Sequence, residues 1–439
     1  MPITGSAPAA VSHAGRAAGH VQLPWPSGHN GSLDGLRVIA ASAVLVTHVA
    51  AVTGFDLTGS PASWLTSRGD IGVPIFFTLS GLLLFRPWVM AALTAGPAPS
   101  ARVYLARRAL RILPAYWLVV VVAMLTLNRS HARSAGAWAQ YLLLGQIYDP
   151  HPWWHGTGAA GLAQMWSLAV EVSFYLLLPV LGLLLAWLTT LGRAGVAARA
   201  KRMLIAISIL GCLSYGFIAL TYYPTPRLWL DGTLLRSFTW FAPGMALAVV
   251  LGWARLEDRP DGPVRSFCAA IASSGTACWL IAGTAFVIAC TPVAGPETLF
   301  APSLWNLEVR TALYTVIALA VVAPAAFQPD GRTPMNAVLG NRAMRFLGKI
   351  SYGIFLWQWV AIFGLFAVLH IKDVFQGGSF TLFDTVLVLL AAAGVSCAIA
   401  AVSFYVLEQP IQRLYRSGWS GRGGRHKRSR ESARTAGGP

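Results

Sequence analysis

Residues 164–190 read QMWSLAVEVSFYLLLPVLGLLLAWLTT, with Glu171 as the single charged side chain. The run exceeds the ~20 apolar residues that a helix needs to cross a bilayer, so a membrane span is expected there. Comparable runs lie on either side of it, at 36–54, 71–93, 112–127, 203–222, 234–253, 267–290, 311–327, 346–369 and 382–406. They predict an all-α, polytopic integral membrane protein with about ten transmembrane helices. Residues 137–147 are also apolar but too short to cross, and are expected to lie at the interface or re-enter. Composition agrees: 56% of the chain is hydrophobic and 11% charged, against ~25% charged in soluble domains.

Charge sets the expected orientation. The chain has 33 Lys and Arg against 16 Asp and Glu, a formal net charge of +17. No basic segment is interleaved with base-stacking aromatics, so no nucleic-acid partner is expected. Lys and Arg collect in cytoplasmic loops, and with both termini inside, 26 of the 33 fall in inner segments. The expectation is a multi-pass protein of the plasma membrane with both termini cytoplasmic. It divides into an unstructured N-terminal segment (1–32), a transmembrane domain (33–412) and a basic tail (413–439) whose GRGGRHKRSR run suits anionic lipid. The first thirty residues lack the apolar core of a cleavable signal, so the first helix is expected to act as its own insertion signal. Cys212, Cys268, Cys278, Cys290 and Cys397 lie in apolar segments with no CxxC pair, and neither a disulfide framework nor a metal site is expected.

Function must reside in the few polar residues inside the spans, where ionisable groups are costly and face a protein interior or a watery cavity. The first span, LDGLRVIAASAVLVTHVAAV (33–52), carries Arg37 and His48. Eleven residues are close to three helical turns, so the two share a face and stand ~16 Å apart. Near the third span, YLARRALRILPAYW (104–117) places Arg108 and Arg111 one turn apart. Two readings fit them alone: a guanidinium pair for phosphate, or anchors that snorkel to lipid headgroups. In the fourth span Gln164, Ser167, Glu171 and Tyr175 form a polar stripe. Glu171 and His48 fall at similar depth and are expected to pair, the carboxylate orienting the imidazole, though a structural role for either also fits. Asp34 reads as a cap or a partner of Arg37, Asp70 as a cap, Ser80 and Gly81 as close-packing residues, Ser351 and Gln358 as neighbours on one face, and Glu408 with Pro410 as structure.

Taken together, LDGLR followed by ten residues and His48, IFFTLSG (75–81), RRALRILPAYW (107–117), WSLAVEVSFYLLLP (166–179), ISYGIFLW (350–357) and FYVLEQP (404–410) form an ordered set. Over roughly residues 30–415 the chain resembles the acyltransferase family 3 membrane proteins, which O-acylate bacterial surface polysaccharides and, in actinomycetes, macrolides and other antibiotics. The resemblance implies a membrane-bound O-acyltransferase that moves an acyl group, acetyl or another short chain, from acyl-CoA to a carbohydrate or natural-product hydroxyl. It implies no permanently bound cofactor, with acyl-CoA as donor substrate on the cytoplasmic side. Arg37, Arg108 and Arg111 would hold the donor, and His48 would be the catalytic base supported by Glu171. One departure is Gln358, where many members have His, since Gln does not titrate near neutral pH. Some members carry further helices leading to an outer hydrolase-like domain. This chain is expected to complete transfer within its membrane domain. The alternative reading is a carrier of an anionic or sugar-linked substrate with a His48 and Glu171 proton relay.

Overall fold

The computed structural model describes residues 30–154, 158–191, 195–225, 227–296, 303–328, 333–371, 375 and 380–414. The expected segments 1–32 and 413–439 fall outside these residues, apart from 30–32 and 413–414. Among the described residues the chain forms helices and no strand. In order they are α1 (Gly31–Thr53), α2 (Pro61–Ser67), α3 (Gly72–Thr94), α4 (Ala101–Thr126), α5 (Ala135–Leu142), α6 (Met165–Thr190) and α7 (Val196–Tyr222). There follow α8 (Leu234–Arg255), α9 (Pro263–Ser273), α10 (Gly275–Ala289), α11 (Leu304–Ala326), α12 (Pro334–Leu339), α13 (Arg342–Val368) and α14 (Leu382–Ser403). A π-helical turn, Phe404–Glu408, continues α14.

Among the described residues nine stretches are long and apolar enough to cross a membrane, and α9 with α10 make a tenth only if the pair counts as one span. That pair is bent by 67°, so the run expected as a span over 267–290 is broken into two helices. The break falls at Ser273, Ser274 and Gly275, and small Ser and Gly residues are a usual cause of sharp kinks. Helix α5, at 8 residues, is as short as its sequence predicts. Helix α4 begins at Ala101, well before the expected 112, so its arginines project from a helix and not from a loop.

Packing decides whether the bent pair traverses the bundle. Helices α3 and α8 run parallel in close contact, and a Cβ on Gly244 would stand 1.9 Å from the Thr78 carbonyl oxygen, so only glycine lets these backbones meet. Further along, Gly252 lies against Val89 and Leu93, which puts the end of α8 beside the end of α3. Arg265 Nε donates to the Ala254 carbonyl at 2.7 Å and so holds the start of α9 at this same face. The end of α10 is tied to the opposite face. There the buried Arg68, just after α2, donates from Nε to the Ala289 carbonyl at 2.8 Å and from Nη2 to that of Gly295 at 2.7 Å. Chain between these two anchors passes from one face to the other, so the pair counts as the tenth span among the described residues.

An even number of crossings returns the chain to its starting face. Asn30 caps α1 and donates to the Ala325 carbonyl at 2.8 Å, at the end of α11. Thr385, at the start of α14, meets Thr53, at the end of α1, so α14 runs back toward the face where α1 begins. Exposed Leu176, Leu183, Leu184 and Trp187 on α6 form an apolar outer surface suited to lipid.

The path predicts accessibility. In a cysteine-free background, Ala62→Cys and Val293→Cys should react with an impermeant thiol reagent from one side of the membrane, and Ala197→Cys and Val338→Cys from the other. Labelling of positions 62 and 293 from opposite sides would show that α9 and α10 do not cross.

Candidate functional site

A cavity of about 200 Å³ opens among α1, α3, α4, α6 and α13. Its polar lining is Arg37, Arg108, Arg111, Glu171, Ser80 and Tyr175, with Ser167, Ser351 and Tyr352. Arg37 therefore shares one space with the Arg108 and Arg111 pair, distant in sequence, and with the acidic residue of α6.

Local structure places each of them. Asn30, not Asp34, caps α1, which leaves the Asp34 carboxylate to bind Arg37 Nη1 at 2.7 Å one turn on. Asp34 is itself wedged against Gly348 of α13, where a Cβ would come within 2.7 Å of it, so the Arg37 partner is clamped by packing. On α4, Ser100 caps the helix and the i,i+3 spacing turns Arg108 and Arg111 toward the cavity, whereas Arg107 is exposed and does not line it. On α6, Ser167, Glu171 and Tyr175 of the expected stripe face the cavity. Gln164 instead donates to the Leu356 carbonyl of α13 at 2.8 Å.

Glu171 accepts a hydrogen bond from the Ser80 hydroxyl, and the Tyr175 hydroxyl is within reach of the same carboxylate. Its field acts on both Arg37 and Arg108, while Arg37 and Arg111 repel one another. Two further groups join this electrostatic cluster from outside the lining. Arg86 of α3 acts on Arg37, and the buried Glu408, on the π-helical turn, faces Arg111. Arg86 is not among the residues that the sequence singled out. It lies two turns inside α3, and that depth, the criterion which singled out Arg37, would have flagged it.

His48 is placed elsewhere, which corrects its expected pairing with Glu171. It does not line the cavity, and the two side chains form neither a hydrogen bond nor an ion pair with each other. Its ring packs on Trp359, centroids 4.7 Å apart, beside Gln358. Its Nδ1 is buried and without a hydrogen-bond partner. The expectation of similar depth does not hold, because α6 begins at the level of Leu356 and Glu171 lies toward the Arg37 end of α1, ~16 Å along the helix from His48.

Comparison with known proteins identifies the group to which this arrangement belongs. Residues 30–405 match the family profile described as an acyltransferase domain, that of acyltransferase family 3. The chain is 27% identical over 398 residues to a peptidoglycan O-acetyltransferase of Listeria monocytogenes, covering 87% of this chain and 56% of that protein. It is 24% identical over 418 residues to nodulation protein 10 of Rhizobium leguminosarum bv. viciae, covering 88% and 95%. An acyltransferase of Streptomyces mycarofaciens is 32% identical over 158 residues, 34% of this chain and 38% of that one. The chain thus spans about half the length of the Listeria relative. No solved structure matches. The chain belongs to the acyltransferase family 3 membrane proteins.

The cavity makes one stability prediction. Glu171→Ala leaves the Ser80 hydroxyl without its acceptor and the arginines without a counter-charge, and should cost about 1–3 kcal/mol. Glu171→Gln keeps an acceptor for Ser80 and should lose less. Thermal unfolding in detergent checks this, and an alanine variant as stable as wild type would contradict the hydrogen-bonded role.

Proposed function

We propose that this member of acyltransferase family 3 is a membrane-bound O-acyltransferase which moves a short acyl group from acyl-CoA to a hydroxyl of a carbohydrate or natural-product acceptor. The observation that carries the donor assignment is the convergence of Arg37, Arg108 and Arg111 in one cavity, with Arg86 close behind. Guanidinium groups bind phosphate oxygens through paired hydrogen bonds, and several held together in a low-dielectric site suit a multiply charged anion such as the phosphates of CoA. The Listeria relative is named a peptidoglycan O-acetyltransferase, which supports a carbohydrate acceptor and an acetyl group.

The cationic face where α1 begins is the cytoplasmic one in this reading, with both termini inside. Donor phosphates then bind from the cytoplasm, and the pantetheine arm extends along α1 and α13 toward His48. A ring nitrogen of His48 takes the proton of the acceptor hydroxyl as its oxygen attacks the thioester carbonyl. The C–S bond breaks, the ester forms and CoA leaves as the thiolate, which is then protonated. Glu171 supports the donor site in this account and does not orient His48. It holds Ser80 and balances Arg37 and Arg108. The carrier alternative requires a relay between His48 and Glu171, and the absence of a hydrogen bond between them weighs against it.

Two variants separate binding from chemistry. Arg108→Lys keeps the charge but loses the planar fork, so it should weaken acyl-CoA binding with little change in protein abundance. His48→Ala should leave acyl-CoA binding intact and lower turnover by about two orders of magnitude or more. Donor affinity and labelled acyl transfer on purified protein check both. Wild-type affinity in Arg108→Lys would leave that arginine a topology anchor, and near-normal turnover in a well-folded His48→Ala would remove the histidine from the chemistry.

A further inference from the structure

The arginine cavity and His48 lie on the same pair of helices, so something must occupy the space between them. Helices α1 and α13 run side by side in one direction. Asp34 meets Gly348 near their starts, and His48 meets Trp359 three to four turns further on. Along α13, Ser351 and Tyr352 line the cavity, Phe355 is the last of its lining residues, and Gln358 with Trp359 already belong to the surroundings of His48. Helix α3 runs the opposite way. Ser80 binds Glu171, Phe76 lines the cavity one turn nearer the far face, and Gly72 reaches the backbone of Ala40. Phe76 and Phe355 thus approach the same level from opposite walls, and their rings meet edge to face, centroids 6.1 Å apart and planes at 65°.

We propose that Phe76 and Phe355 form the partition between the arginine cavity and His48, and that their bulk sets the length of acyl chain the protein accepts. The inference rests on the acyl-CoA reading of the cavity. A donor whose phosphates lie at Arg37, Arg108 and Arg111 brings its acyl end up against these rings. The neighbouring walls, Val73, Leu79, Leu83 and Leu168, are apolar and suited to an acyl chain, but the aromatic pair shortens the space left for one. The backbone at Phe355 is held, since its carbonyl accepts Gln358 Nε2 at 3.1 Å and Gln164 Nε2 at 3.4 Å. Room for a longer chain must therefore come from the ring and not from the helix. Steric limits of this kind discriminate strongly, because methylenes that a packed wall cannot admit lose their binding altogether.

The test is equilibrium binding of acetyl-, butyryl- and octanoyl-CoA to the purified full chain in one detergent, comparing wild type with Phe355→Ala, Phe76→Ala and Phe355→Leu. The octanoyl to acetyl affinity ratio should rise at least about tenfold over wild type in each alanine variant, with the milder Phe355→Leu between. Referring each ratio to wild type cancels partition of the longer chain into micelles. A pair that only packs the core would lower stability and leave the ratio unmoved. An unchanged ratio in folded Phe355→Leu and in whichever alanine variants fold overturns the partition while leaving the donor reading in place. A wild type that binds none of the three donors overturns the donor reading and the partition with it.

Discussion

Guanidinium groups inside a membrane protein must find their counter-charges and hydrogen-bond acceptors among neighbouring helices, and the arrangement around Arg37 is dictated by that requirement. Arg37 binds Asp34 on its own helix, faces Glu171 of α6, and stands near Arg86 of α3 and Arg111 of α4. Glu408 faces Arg111 from the far end of the chain. Each contact belongs to a different helix, so moving any one of them exposes an unbalanced charge. Cationic groups still outnumber acidic ones in the cluster, and it is this excess that fits a polyanionic ligand.

A second buried arginine shows what a structural role looks like in the same protein. Arg68 donates to the carbonyls of Ala289, Gly295 and Pro296 and thereby fastens the connection after α10 to the turn after α2. Nearby, Asp70 accepts the Tyr314 hydroxyl and not the helix-capping bond its position suggests. Arg68 is spent on backbone oxygens. Arg108, by contrast, has a buried Nε with no hydrogen-bond partner and lines an open cavity with Glu171 and Tyr175. That difference sets Arg108 apart from an arginine with a purely structural role.

Hydropathy was enough to find the spans, because backbone in lipid must satisfy itself within helices and the apolar runs follow from that. It missed the first turns of α4, since YLARRALR is helical yet too charged to score as a span. It also missed the bend at Ser274, where apolar residues continue on both sides of the break and only the small residues of the turn mark it. Within the site, periodicity gave the shared face of Ser167, Glu171 and Tyr175 correctly. The pairing of Glu171 with His48 failed because depth was counted from apolar run ends, whereas α6 starts at the level of Leu356, and neighbour choice is set by contacts between distant segments, such as Ser80 with Glu171 and Trp359 with His48. Ser80 itself was read as a packing residue. Its neighbour Gly81 does pack, against the Phe241 carbonyl of α8, and one residue's rotation turns Ser80 into the cavity.

The central claim is that the arginine cavity receives acyl-CoA with its phosphates at Arg37, Arg108 and Arg111. An experimentally determined structure of the protein with a non-hydrolysable acyl-CoA analogue tests it most directly. The account predicts density for the phosphates against those three guanidinium groups and for the acyl end against Phe76 and Phe355. Density for the bound analogue at another surface, with the cavity unchanged, would contradict it.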